Sequence, residues 1–402
     1  MQKQINVRVL AGIAVFGLAA MATNVTMGLL ASIMQTYSDV SPVTVQSVLV
    51  GPALVGMIYA FFFGKLNKTF TVKKLLIFAQ CALLLYGIIF HMGGKVPISV
   101  LIAASGLAGF NMGSMNTILG ILMAGAVEDE KRRGSILGFM SALMNVGGVI
   151  LTTLGGIIAS RSTWQNAYWL FAYYILAIAL EMILLPKVEP EGKAAPAAAG
   201  GEQPQSEKGG MTKVWILSIH YFFFFLWLYV FGTNCSEFIV NTYKIGDAAA
   251  AGVAASCVTV GGIFAGLLYG VYSKILGKFT VPVLMGLSVV GLAIPVFVHS
   301  SVIGIYAAGI LCGFSMMGAN PYIMQYLLKI APGPKYGSAM SIFAGFMNAG
   351  MVVAIYVIAF LTGLFFGDAA YVPGKFIVAA LGDLVVFITS FFIYAFGQKS
   401  ES

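Results

Sequence analysis

"GSAMSIFAGFMNAG", residues 337–350, and "GSILGFMSALMNVG", residues 134–147, are one helix written twice. Aligned without a gap, they share Gly134 with Gly337, Ser135 with Ser338, Met144 with Met347, Asn145 with Asn348, and Gly147 with Gly350. A second pair extends the repeat. "GFNMGSMN" at 109–116 matches "GFSMMGAN" at 313–320, which sets Asn116 against Asn320 at an offset of 204, beside 203 for Asn145 and Asn348. Looser echoes, "TN" at 23–24 and 233–234, carry the duplication toward the first helix of each half. An Asn kept in an apolar middle in both copies implies a polar task at the same place in each half.

Of the 402 residues, 59% are hydrophobic and 9% charged. A soluble domain carries roughly 25% charged residues because it must face water, so this chain faces lipid. Apolar runs of about 20 residues, enough to cross a ~30 Å hydrocarbon core as helix, recur from end to end between short polar loops. The ten-residue alternation of an outer-membrane barrel is absent from the sequence. The four cysteines, Cys81, Cys235, Cys257 and Cys312, all lie in apolar runs and form neither a disulfide framework nor a metal motif. No metal or cofactor is expected. The run after "MQKQINVR" is too long for a signal peptide and has no small-residue cleavage site, which predicts a retained first helix.

The pattern predicts an all-α polytopic membrane protein with twelve transmembrane helices, centred near residues 22, 55, 83, 111, 147, 176, 228, 260, 290, 316, 351 and 386. Residues 187–212, rich in Pro, Gly, Ala and charge, cannot bury enough apolar surface to fold. They are expected to be a cytoplasmic linker between an N-terminal six-helix half, 1–186, and a C-terminal half, 213–402. With both termini cytoplasmic, only Lys95, Arg161, Lys244 and Lys375 of the 22 Lys and Arg fall on the outer side. Cytoplasmic loops are enriched in cations, so this asymmetry sets the topology. The net charge of +8 is then a topology signal, scattered over short loops, and does not predict nucleic-acid binding. Because six helices is an even number, both halves enter from the same side and the repeat is parallel.

At this point the chain resembles the major facilitator superfamily over its whole length. The family's signature between helices two and three, GxLaDrxGrkxxl, reads here "GKLNKTFTVKKLL" from Gly64, with Gly64, Leu66, Lys73 and Leu76 in place. Lys68 stands where the signature is acidic, and Thr71 where it has Gly. The second copy, "GVYSKILGKFT" from Gly270, keeps Gly277 and Lys278 and places Lys274 at the acidic position. The resemblance implies that Gly64, Lys68, Lys73, Gly270, Lys274 and Gly277 belong to a cytoplasmic gate whose acidic latch is missing. The family's fifth-helix antiporter motif is half present in "GVILTTLGG", which keeps Gly155 and Gly156 but has Leu151 and Thr152 in place of Gly and Pro. Small residues of this kind also serve close helix packing.

Asn145 and Asn348 lie eleven residues into their helices from Gly134 and Gly337, ~16 Å deep at 1.5 Å per residue and near the bilayer centre. Asn116, twelve residues before Glu128, lies ~18 Å deep on the same arithmetic. Each amide has two readings. It bonds a neighbouring helix, worth roughly 0.6 kcal/mol, or it lines a solute cavity at the level where transporters bind substrate. Asn145, Asn348, Asn116 and Asn320, with Asn24, Asn111 and Asn234, are the candidate substrate-binding amides. Tyr221 and Trp227 join them as members of "HYFFFFLWLYVF", residues 220–231, with a polar atom to satisfy. No Lys or Arg falls in the predicted cores of helices one, two, four, five, seven, eight, ten or eleven, so organic dianions are disfavoured as substrates.

Ionisable groups within membrane helices are costly, on the order of 3 kcal/mol at the centre, and usually serve a function. Glu237 on helix seven and Asp383 on helix twelve are the proton-coupling candidates. Glu181, five residues before Pro186, is expected to snorkel to the cytoplasmic interface. A headgroup position near Lys244, anchoring the helix end, is the alternative for Glu237.

These features describe a non-enzymatic secondary transporter that moves a small organic solute across the cytoplasmic (inner) membrane of a bacterium by alternating access. It would work as a monomer among membrane lipids with protons as the coupling partner, on a neutral, zwitterionic or cationic substrate. Proton-antiport multidrug efflux is the alternative within the class, and a transport-inactive receptor or scaffold the alternative outside it. The chain has no GxxxxGK[ST] loop for an ATP-driven pump. The orientation is testable. Cysteines placed at Gly200 and Ser400 should be shielded from impermeant thiol reagents in intact cells and one at Asp368 should react, the reverse pattern overturning the cation count.

Overall fold

The computed structural model describes residues 6–126, 130–186, 210–331 and 334–396. Among them the chain is helical from end to end, with no strand beyond an isolated bridge between Gly93 and Val96. Lipid offers no water to the backbone, so each span must satisfy its own N–H and C=O groups, and helices do this locally.

The first span is α1 (Val7–Ala19) and α2 (Val25–Thr36), joined through a 3₁₀ turn at Ala22–Asn24. The second is α3 (Pro42–Gln46) and α4 (Val50–Thr69), the third α5 (Val72–His91), the fourth α6 (Ile98–Ser105) and α7 (Leu107–Ala126), and the fifth α8 (Glu130–Arg161). A 3₁₀ segment, Trp164–Ala172, leads into α9 (Tyr173–Leu184) and completes the sixth. The seventh to twelfth are α10 (Gly210–Glu237), α11 (Ala248–Leu276), α12 (Thr280–Phe297), α13 (Val302–Ile330), α14 (Pro334–Phe366) and α15 (Val372–Ser390). α10 begins three residues before the expected boundary at Lys213, and the rest of the expected linker lies outside the described residues.

By length and apolarity, eleven stretches qualify as membrane spans, one of them the 50-residue run Ala248–Phe297. That run is two helices. Gly277 ends α11 at φ +50, a left-handed conformation in which side chains are strained, and α12 starts three residues later. Among the described residues the spans therefore number twelve, as expected, and the protein is a multi-pass membrane protein.

Loops are short and cap their helices. The side chains of Thr71, Asp247 and Ser301 accept from backbone N–H groups of the first turns of α5, α11 and α13, and Ser41 does the same ahead of Pro42. Helices up to α9 form one compact unit and those from α10 a second.

The shared glycines of the repeat are where helices touch. A Cβ on Gly147 of α8 would lie 2.0 Å from the carbonyl oxygen of Leu18 in α1, and one on Gly350 of α14 would lie 2.4 Å from that of Phe222 in α10. In both halves, then, the fifth helix rests on the first at the last residue of the duplicated stretch. The second repeated segment behaves alike. A Cβ on Gly109 would sit 2.6 Å from Gly56 N, and one on Gly313 would sit 1.8 Å from Val258 O, so the fourth helix meets the second in each half. Helices in lipid gain little from hiding apolar surface and associate through such close contact. Gly155, from the partial antiporter motif, packs on Val25, where a Cβ would come within 2.7 Å of Cγ1.

Gly147→Val should therefore force α8 off α1 and cost about 1–3 kcal/mol, as overpacking does, lowering the apparent melting temperature of the solubilised protein. Gly270, where an added Cβ meets nothing within 4 Å, is the control. Gly270→Ala should stay within about 0.5 kcal/mol of wild type.

Candidate functional site

In the N-terminal half the polar residues gather around the break in the first span. Asn24 is the last residue of the 3₁₀ turn and is half-buried. Where α1 stops, Asn111 of α7 donates its Nδ2–H to Ala20 O at 3.0 Å, so the amide satisfies a carbonyl near the broken ladder. Two residues beyond Asn24, Thr26 Oγ1 bonds the hydroxyls of Tyr86 and Tyr168, the latter at 2.9 Å, all three residues being buried. This hydroxyl cluster joins the first, third and sixth spans. Sequence reasoning missed it, and the one available signal was a Tyr in the apolar run of each later helix, needing a partner. Asn145 is half-buried on α8. Asn116 lies on α7, its side chain outside what the structure describes.

In the C-terminal half, Tyr221 is fully buried and donates to Asn320 Oδ1 at 2.7 Å, which ties α10 to α13. Tyr221 lies eleven residues after Gly210 and Asn320 ten before Ile330, so each is ~15–17 Å from that end of its helix. The rings of Phe343, Phe225 and Phe224, 4.6, 5.1 and 5.4 Å from the Tyr221 ring, wall it in. Pro321 follows Asn320 inside α13 and removes one N–H from the helix ladder, which leaves backbone acceptor capacity beside the amide.

The other candidates serve their own helices. Asn348 Nδ2 donates to Ala344 O at 2.9 Å, and Asn234 Nδ2 to Val230 O at 3.1 Å and Thr233 Oγ1 at 2.9 Å. Trp227 is packed on α15, where a Cβ on Gly382 would lie 2.4 Å from its indole, so its ring fills a helix seam.

Of the charged candidates, Glu237 ends α10 and is 9% exposed, immediately before a π-helical turn, Phe238–Thr242. Such turns recur at functional sites. Its electrostatic partner is Lys375 of α15, with Asp368 acting on both. Neither Glu237 Oε2 nor Lys375 Nζ has a hydrogen-bond partner among the described residues. Lys375 is 1% exposed, so this cation, counted by sequence among the outer-face charges, is drawn into the helix packing. Lys244, the expected neighbour of Glu237, is an exposed loop residue at φ 52. Asp383 is buried on α15 and accepts from Ser288 Oγ of α12 at 2.5 Å. Glu181 does not snorkel. It is fully buried on α9 and accepts from Gln80 Nε2 of α5 at 2.7 Å, because α5 packs against α9 there and offers an amide at its level.

Residues 12–354 match the sequence profile of the Major Facilitator Superfamily. The chain belongs to this superfamily. It is similar to the vacuolar membrane amino acid uptake transporter fnx2 of Schizosaccharomyces pombe, 32% identical over 118 residues, which is 29% of this chain and 20% of the yeast protein. The chain thus matches about a fifth of that relative's length. Its fold is similar to the crystal structure of a mutant of the nucleoside transporter NupG, with a TM-score of 0.73 at 12% identity, over 96% of this chain and 100% of that one.

The superfamily's loop signature can now be placed. Lys73 Nζ donates to Met182 O and Leu185 O, both at 2.7 Å, and Arg8 donates to Ile183 O. Two cations thus cap the C-terminal carbonyls of α9, where the helix dipole favours positive charge. Gly64 and Lys68 lie near the end of α4, with no side-chain description for Lys68. Gly270 and Lys274 are exposed at the end of α11, and Gly277 supplies its turn.

Tyr221 and Asn320 should behave as a coupled pair. In a double-mutant cycle of Tyr221→Phe and Asn320→Leu, read by thermal unfolding, the coupling should be about 0.6 kcal/mol, the average for interhelical bonds in membrane proteins. Strict additivity would separate the two residues.

Proposed function

We propose that this member of the superfamily, a secondary transporter, moves a small neutral or zwitterionic organic solute, with protons as the coupling ion. The observation that carries this reading is the chemistry at mid-depth of the described helices: amides and a phenol, in Tyr221, Asn320, Asn145 and Asn348, with no cation among them. Amides and hydroxyls both donate and accept, so they suit hydroxyl, amino and carbonyl groups of a metabolite. A dianion would meet no fixed counter-charge there. The names of the two similar proteins, an amino acid uptake transporter and a nucleoside transporter, point to solutes of this chemistry.

Proton coupling is assigned to the carboxylates held away from water, Glu237 and Asp383. For Glu237 the support is its position beside a π turn and its pairing with a buried lysine rather than with solvent. A carboxylate so placed gains or loses its partner when the outer end of α10 moves. The cation asymmetry supports placement in a bacterial cytoplasmic membrane with both termini inside, and the protein is assigned as a monomer that does not bind nucleic acid.

Counterflow in proteoliposomes tests the substrate class. Preloaded amino acids or nucleosides should drive uptake of the labelled counterpart, dicarboxylates should not, and failure of every pool would favour the receptor reading. In the same vesicles Glu237→Gln should abolish accumulation driven by a pH gradient while leaving the protein folded. Wild-type gradient dependence in that variant would remove Glu237 from the coupling.

A further inference from the structure

Glu181 and Asp383 are 202 residues apart, and their partners Gln80 and Ser288 are 208 apart, close to the 203 and 204 of the repeat. Each half thus places a buried carboxyl on its sixth span, bonded to a neutral polar residue on its third. Counting donors and acceptors shows what each pair lacks.

In the N-terminal half, Gln80 Nε2 donates to Glu181 Oε1, leaving Gln80 Oε1 and Glu181 Oε2 both buried and both without a partner. As a carboxylate and an amide these two oxygens are acceptors only, and neither can satisfy the other. One proton on Glu181 Oε2 turns one of these two orphaned acceptors into a donor. In the C-terminal half, Ser288 Oγ stands 2.5 Å from Asp383 Oδ2 and 2.7 Å from Met285 O. A hydroxyl has one hydrogen, so it cannot serve two acceptors. One proton on Asp383 Oδ2 supplies the missing hydrogen, the carboxyl donating to Ser288 Oγ and the hydroxyl to Met285 O, while the buried and unpartnered Asp383 Oδ1 no longer carries charge. The two halves use different side chains and are each short of one proton.

We infer that Glu181 and Asp383 form a twin pair of intramembrane proton-binding sites, each occupied by one proton that supplies the missing donor and removes the buried charge where the third and sixth spans of its half meet. The proton comes from water, adds to one carboxylate oxygen and breaks no other bond, so each site passes from one negative charge to none. The surroundings suit a neutral group. Around Glu181, Tyr173 and Tyr174 of its own helix are the nearest ionisable groups, while Lys73 of α5 and Arg8 of α1 are committed to the last carbonyls of α9. Around Asp383, α13 presents the Cys312 thiol and α10 presents His220, which bonds Val386 O at 3.0 Å and Thr389 Oγ1 at 3.1 Å farther along α15. On the adjoining α14, Thr362 and Phe366, which a Cβ on Gly374 in the first turn of α15 would meet, are uncharged. An ion left at either position would be a buried charge without a counter-ion, a costly arrangement in an apolar medium. Asp383 already belongs to the proposed coupling, and Glu181 is a site that proposal does not contain.

Infrared spectroscopy of the membrane-reconstituted protein near neutral pH reads proton occupancy directly, independently of transport. A protonated carboxyl gives a carbonyl band, separate from carboxylate bands, that shifts in deuterium oxide. Wild type labelled with carbon-13 in the Asp side-chain carboxyl should show one such band moving, because Asp383 is the buried Asp among the described residues. With Glu labelling in the Glu237→Gln background, a second band should move and should vanish on adding Glu181→Gln. The Asp arm needs no substitution and the Glu arm can be read before Glu181 is touched, so a folding defect in the last variant leaves both measurements standing. Absence of either labelled band, or a Glu band that persists without Glu181, would overturn the twin assignment. A failed gradient test of Glu237 would leave it untouched.

Discussion

Everything in each half hangs on one contact, the approach of the fifth helix to the first at a glycine. Gly147 meets the Leu18 carbonyl and Gly350 meets the Phe222 carbonyl at a distance where no side chain fits. Lipid removes the usual reason for helices to associate, so specificity comes from how closely two backbones approach and what the approach aligns. Gly147 comes two residues after Asn145, and Gly350 two after Asn348, so the contact also fixes the depth of the amides. Packing and polar chemistry are one feature of the duplicated stretch.

Burial then makes hydrogen-bond accounting strict. The broken first span exposes the Ala20 carbonyl, and Asn111 answers it from α7. Tyr221 has a hydroxyl in an aromatic wall, and Asn320 answers it from α13. In both cases an amide that looks from sequence like a solute ligand has a structural task, yet one amide offers more donor and acceptor sites than a single bond uses. A residue can hold two helices together and still present a free lone pair or N–H to a solute, so the structural and binding readings of Asn320 are compatible.

The fold was largely legible because its determinants are local: apolar length, cation placement, and a repeat visible at fixed offset. The one place where apolar length alone would miscount, Ala248–Phe297, is resolved by a single glycine with positive φ, a property no composition window senses. The site was legible in part. Depth along a helix follows from counting residues, which placed Asn145, Asn348 and Asn116 near the bilayer centre without showing what they touch. Azimuth does not follow, since an apolar helix facing lipid and protein together gives no clear stripe. Trp227 on Gly382, Glu181 on Gln80 and Lys375 drawn inward are all errors of azimuth or partner, and each depends on a residue 100 or more positions away for the first two, and on Glu237 for the last.

The two halves also show how a duplicated architecture tolerates divergence at a polar seam. Glu with Gln and Asp with Ser conserve neither identity nor length, since the first pair spans its seam with two long side chains and the second with two short ones. What stays the same is the imbalance, buried carboxyl and amide oxygens left without a donor. The short pair sits where a Cβ on Gly286 of α12 would lie 3.0 Å from Phe387 of α15, a close approach of the two helices. In the N-terminal half Phe171 of the sixth span lies over Gly87 of α5 in the same way, 2.4 Å from where a Cβ would sit. Side-chain length thus differs between the halves while a buried acceptor without a donor is kept in each, which is the behaviour expected if the constraint acts on charge in the seam rather than on a particular residue.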